Sequence, residues 1–181
     1  MALARPGPTH RPLAQAPDLH HSGGLTPLHD ALTARHTRLG RPGHWYDDPA
    51  GELEQHARDD VARVKQRLGR ARAPLLPGKV VAELPFGFWR FLLARRYTAT
   101  LWPVLRGGFP HLGGSNRRLL EEPVTRLHVL RNRVAHHEPL LAEPIADRYQ
   151  NLLTVVAAVE PQLSAWVDGH SHVLAALSRR P

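Results

Sequence analysis

Apolar residues recur along most of this chain at spacings of three and four. Leu53, Ala57, Val61, Val64 and Leu68 form the clearest series, which predicts a long amphipathic helix with one stripe facing a core. Val124, Leu127, Leu130 and Val134 predict a second helix, and Ile145, Tyr149, Leu152, Val156 and Val159 a third. Polar caps and prolines punctuate the pattern. Thr26-Pro27 and Asp48-Pro49 each read as a helix start, because a proline in the first turn gives up an N–H that has no partner there anyway. Gly40 and Pro42 stop the helix that begins at Thr26 near Leu39. Pro123 falls inside the second series, so either a turn from Asn116 precedes a helix starting there, or one helix is kinked. Pro139 ends that helix, since the residue before a proline avoids α geometry, and residues 136–138 are expected in a fraying last turn. Pro144 opens the third helix and Pro161 interrupts it, after which a weaker helical pattern runs over residues 162–177. No window alternates as a strand does.

The pattern therefore predicts an all-α fold of about six helices over residues 26–178. Residues 1–25 hold four prolines and three histidines without periodic apolar positions, and are expected to be a disordered leader. Its His10, His20 and His21 read as low-complexity residues rather than a metal site. Between the helices, Phe86, Phe88, Trp89 and Phe91 lie within six positions. Such density usually fills a core, with a nucleobase-stacking platform as the alternative. A short helix is expected over residues 97–105, ending at Arg106-Gly107-Gly108, and a loop over residues 111–116.

A length of 181 residues suits one domain with its own core. The absence of cysteine excludes disulfides and thiolate metal sites and fits a reducing cytosol. No stretch approaches the roughly 20 apolar residues that span a bilayer, and the start lacks a signal-peptide pattern, so a cytoplasmic protein without membrane insertion is expected. The net charge of +8 favours polyanions such as nucleic acid. Its 22 arginines against 2 lysines, with abundant Ala, Gly and Pro, are also what GC-rich coding produces. Charge alone does not choose between the two.

Chemistry concentrates in Arg131-Asn132-Arg133-Val134-Ala135-His136-His137-Glu138-Pro139. Arginine keeps its charge near neutral pH while histidine titrates close to it, so the run pairs a fixed cation with a proton carrier. On a straight helix Asn132 and His136 lie about 40° apart, but Arg131 and His136 about 140°. Two things would reunite them: unwinding before Pro139, or a symmetric partner chain. A bland reading competes, with Arg131 on the apolar face as an ion-pair partner of Glu121, Glu83 or Asp147, and residues 136–139 as a helix C-cap whose cations suit the dipole. A metal site from His128, His136, His137 and Glu138 lacks the His-Glu-x-x-His arrangement, so neither metal nor cofactor is expected.

Arg131 to His136 fits Arg-x4-His, and Leu84-Pro85-Phe86-Gly87-Phe88-Trp89 precedes it by about 40 residues, with Trp102 between. Together these residues resemble the Abi-like (abortive infection) branch of the HEPN superfamily, over residues 28–166. The resemblance implies a helical bundle that dimerises and, in many relatives, cuts RNA without metal. On this chain the catalytic residues would be Arg131 and His136, supported by Asn132, with His137 as a second proton carrier. Arg133, Arg126 and His128 would contact substrate. RNA, a second copy and an antitoxin or regulatory protein would be the partners, in a toxin-like role in phage defence. The start departs from the pattern, because relatives carry further helices there and an Arg-Asn pair where this chain has His29-Asp30. A shortened, non-catalytic module that binds RNA or protein is the alternative expectation.

Overall fold

Periodicity becomes structure most directly in α2 (Gln55–Arg70), which buries Ala57, Val61, Val64 and Leu68 on one stripe. The computed structural model describes residues 26–179, and every regular element among them is helical. In chain order the other α-helices are α1 (Thr26–Arg38), α3 (Pro77–Ala82), α4 (Phe86–Leu92), α5 (Trp102–Leu105), α6 (Arg118–Ala135), α7 (Ile145–Val159), α8 (Pro161–His170) and α9 (Val173–Leu177). The chain is an all-α bundle with more and shorter helices than the six expected. The leader over residues 1–25, with its three histidines, lies outside the described residues.

Several elements depart from the expected pattern. Asp48 does not start a helix: it adopts a left-handed backbone (φ 52°) at the end of a 3-10 turn, Trp45–Asp47. Its carboxylate accepts from the Glu52 N–H at 2.6 Å and the Leu53 N–H at 2.9 Å, so the capping side chain closes a loop, and α2 begins only at Gln55. Pro123 is buried inside α6, which runs on as one helix rather than restarting there. Glu160 caps α8 by accepting from the Gln162 N–H at 3.0 Å and Pro161 takes its first helical position, and the tail breaks again where Ser171 turns extended before α9. The short helix expected over residues 97–105 shrinks to α5, flanked by 3-10 turns at Arg95–Tyr97 and Arg106–Gly108.

The core lies in the first two thirds of the chain. Phe88 and Leu120 are fully buried, and Trp45, Trp89 and Trp102 nearly so. Trp45 packs on Phe88 and Trp89 with ring centroids 6.1 and 6.0 Å away, and Phe88 meets Trp89 edge-on at 5.4 Å. The aromatic run is therefore core at Phe88 and Trp89, whereas Phe86 stays 39% exposed. The Trp45 indole N–H donates to His29 Nδ1 at 2.9 Å, which ties the 3-10 turn to α1. Gly108 allows α1 to approach, since a Cβ there would fall 2.5 Å from Leu28 Cδ2.

Burial thins toward the C-terminus. α6 packs against α4 and α7, and α8 folds back on α7. Yet only Leu120, Pro123 and Val124 of α6 are buried, and no residue of α8 or α9 is. Val129, Val134, Leu141 and Leu174 stand exposed. Among the described residues, no helix is long and apolar enough to cross a membrane.

Candidate functional site

The last turn of α6 sets the geometry of the Arg-x4-His run. The helix stops at Ala135, with His136 as its C-cap and His137 in the left-handed region at φ 55°. His137 N–H donates to Val134 O at 3.2 Å and Glu138 N–H to Arg133 O at 2.9 Å, the bond pair of a Schellman motif. A residue other than glycine in that conformation costs about 1 kcal/mol. The expected fraying turn is thus a hydrogen-bonded cap, and the chain leaves helical geometry before Pro139. With the His136 N–H on Asn132 O, the cap takes up the carbonyls of Asn132, Arg133 and Val134.

Ion pairs lock the segment between α6 and α7. Arg133 Nε lies 3.1 Å from Glu143 Oε1 and 4.0 Å from Glu138 Oε2, and Arg148 reaches Glu143 at 3.5 Å. Glu143 is only 11% exposed, so it staples the end of α6 to the start of α7. Arg133, expected to contact substrate, takes part in this joint and stays 39% exposed.

Arg131 behaves differently. Its side chain is exposed and donates from one terminal nitrogen to Asn132 Oδ1 at 3.2 Å, and it has no carboxylate partner among the described residues. The alternative ion-pair role is not taken up: Glu121 holds Arg117, Glu83 holds Arg67, and Asp147 is exposed. Arg126, His136 and His137 are likewise exposed, without an ion pair among the described residues. No hydrogen bond joins Arg131 to His136, as their separation around the helix requires.

His128 connects the two motifs. A Cβ on Gly87 would lie 3.2 Å from His128 Nε2, so the glycine of the Phe-Gly-Phe-Trp run makes room for the imidazole, whose ring centre is 5.7 Å from that of Phe86. Burial, and then the charges of Arg90 and Arg131, push the His128 pKa below its ordinary value. This contact has no signature in the sequence, because it joins elements that meet only when α4 packs on α6. Among the described residues no group of three or more His, Cys, Asp or Glu is placed to hold a metal ion.

In comparisons with known proteins, no family model matches this chain, and neither a curated protein nor a solved structure matches it.

Proposed function

We propose that this chain is a metal-independent endoribonuclease of the abortive-infection type, with Arg131 and His136 at its centre. The observation that carries this reading is an exposed arginine, without a carboxylate and braced by Asn132, one turn before a helix end that presents two exposed histidines. The motif resemblance supports it. An exposed arginine without a carboxylate partner offers a bidentate donor for a phosphodiester.

The chemistry uses each of those parts. A ribose 2′-oxygen attacks the adjacent phosphorus while His136 takes its proton, and the bond to the 5′-oxygen breaks as His137 returns a proton to it. Arg131 holds the phosphoryl oxygens as charge builds on them. The products are a 2′,3′-cyclic phosphate and a 5′-hydroxyl. Arg126 and His128 contact the flanking RNA. Because Arg131 and His136 diverge on one helix, a second copy meeting the exposed Val129 and Val134 would bring one chain's arginine to the other's histidine. A toxin-like role in phage defence, with a regulatory partner, belongs to the same proposal.

Purified protein should cleave RNA in EDTA, leave DNA of the same sequence intact and yield cyclic-phosphate ends. Failure to cleave any RNA, or metal-dependent cleavage, would overturn the proposal. The divergence of Arg131 and His136 specifically favours a second reading, binding without turnover. That reading predicts a gel shift that weakens steeply with salt and no product.

A further inference from the structure

The aromatic run of α4 leaves one ring in solvent, and that ring lies against α6. Phe86 is exposed, whereas Phe88 and Trp89 beside it are buried. Its ring centre lies 5.7 Å from that of His128, with the two planes inclined by 40°, and Gly87 supplies the room for the imidazole. A single exposed apolar side chain is ordinary. The company of Phe86 is not. One turn beyond His128 on α6 come Arg131, with no carboxylate partner among the described residues, and Asn132, whose side-chain oxygen accepts from it at 3.2 Å.

Ring and charge meet at one place. The two charges that act on His128, from Arg90 and Arg131, are both positive. Burial and those charges favour the neutral imidazole, which adds ring surface rather than a third cation. An exposed aromatic ring with an unpaired guanidinium one helical turn further on matches the two parts of a nucleotide: a flat face for the base and a fork of N–H donors for the phosphate. Bases inside a duplex already stack on their neighbours, so only a strand with unpaired bases can lay one on a side chain.

We propose that Phe86, with His128 beside it, is a stacking site for an unpaired base of RNA, next to the phosphate that Arg131 holds. The site selects single-stranded RNA and discriminates among bases only by how strongly each stacks. It rests on the assignment of Arg131 to a phosphodiester under the proposed function, but not on cleavage, since a chain that binds RNA without turnover would use the same ring. Phe86 is a positioning residue: by holding the base, it fixes which phosphate reaches Arg131.

Fluorescence anisotropy of the full chain with a short 2′-O-methyl RNA, single or annealed to its complement, tests the site without turnover, because the blocked 2′-oxygen cannot attack. The single strand should bind at least about tenfold more tightly than the duplex, although the duplex carries more charge. Phe86→Ala should weaken the single strand by about tenfold, and Phe86→Trp should keep the native affinity. Neither should alter the salt dependence, because the ring touches no phosphate. A thermal melt confirms that each variant folds, and the comparison of the two probes on the unaltered protein stands even if one does not. Equal affinity for both probes, no binding of the single strand, native affinity in folded Phe86→Ala, or Phe86→Trp as weak as Phe86→Ala would each overturn the proposal. Single-strand binding that needs Phe86, in a chain that cuts no RNA, would overturn the ribonuclease and keep this site; cleavage with native affinity in Phe86→Ala would do the reverse.

Discussion

Two regions of this molecule use arginine in opposite ways. Near the core of the first half, Arg35 and Arg41 both grip Glu52, with Arg35 forking onto it at 2.7 and 2.8 Å. Arg117 is tied to Glu121, Thr98 and the Leu93 carbonyl, and Arg106 satisfies three loop carbonyls. Along the second half of α6, Arg126 and Arg131 meet no acid among the described residues, whereas Arg133 beside them pairs with Glu143. Charge therefore builds the fold throughout the first region, whereas in the second Arg133 does so and Arg126 and Arg131 are left for something else. Stability and activity should separate along the same line.

The largest effect should come from the packed region. Phe88→Ala empties a fully buried site and should cost about 3–5 kcal/mol, enough to unfold a marginal domain, measured by urea denaturation. Glu52→Gln comes next. The guanidinium groups of Arg35 and Arg41 hold the Glu52 carboxyl down at about 2 against an ordinary 4.5. With these three side chains about one-fifth exposed, the loss should be about 2 kcal/mol after allowing for solvent screening. A carboxyl with a lowered folded pKa stabilises above its unfolded value and loses that contribution as pH falls through the folded one. The gap between the native protein and Glu52→Gln should thus be full above pH 4.5 and close toward pH 2, as thermal melts across that range would reveal.

The smallest effect on stability should lie at the α6 end and have the opposite sign. His137→Gly relieves the left-handed strain and should stabilise by about 0.5–1 kcal/mol. If His137 transfers the second proton, the same variant should lose cleavage. A destabilised His137→Gly, or one with unaltered cleavage, would break the contrast between the regions at that residue.

Legibility in the sequence divides along the same line. Ala57, Val61, Val64 and Leu68 can be read as a buried stripe because periodicity is local. Leu127, Leu130 and Val134 have equal periodicity but stay partly or fully exposed, since a pattern marks a face as apolar without saying what covers it. Asp48 misleads because a capping aspartate looks the same whether the N–H groups it meets open a helix or close a loop. At the candidate site, the residues of the Arg-x4-His run are visible in the sequence, but their state is not. Arg131 lies ten residues beyond Glu121 on the single helix α6, about 15 Å along its axis, which puts that pairing out of reach, and the Gly87–His128 contact depends on helix packing.

The central claim is that Arg131 serves chemistry and not the fold. Cleavage rate in EDTA and thermal midpoint, measured on one preparation of Arg131→Ala, test it together. The account predicts a midpoint within about 2 °C of the native protein and cleavage reduced by at least about a hundredfold. A midpoint several degrees lower, or cleavage that persists at the native rate, would contradict it.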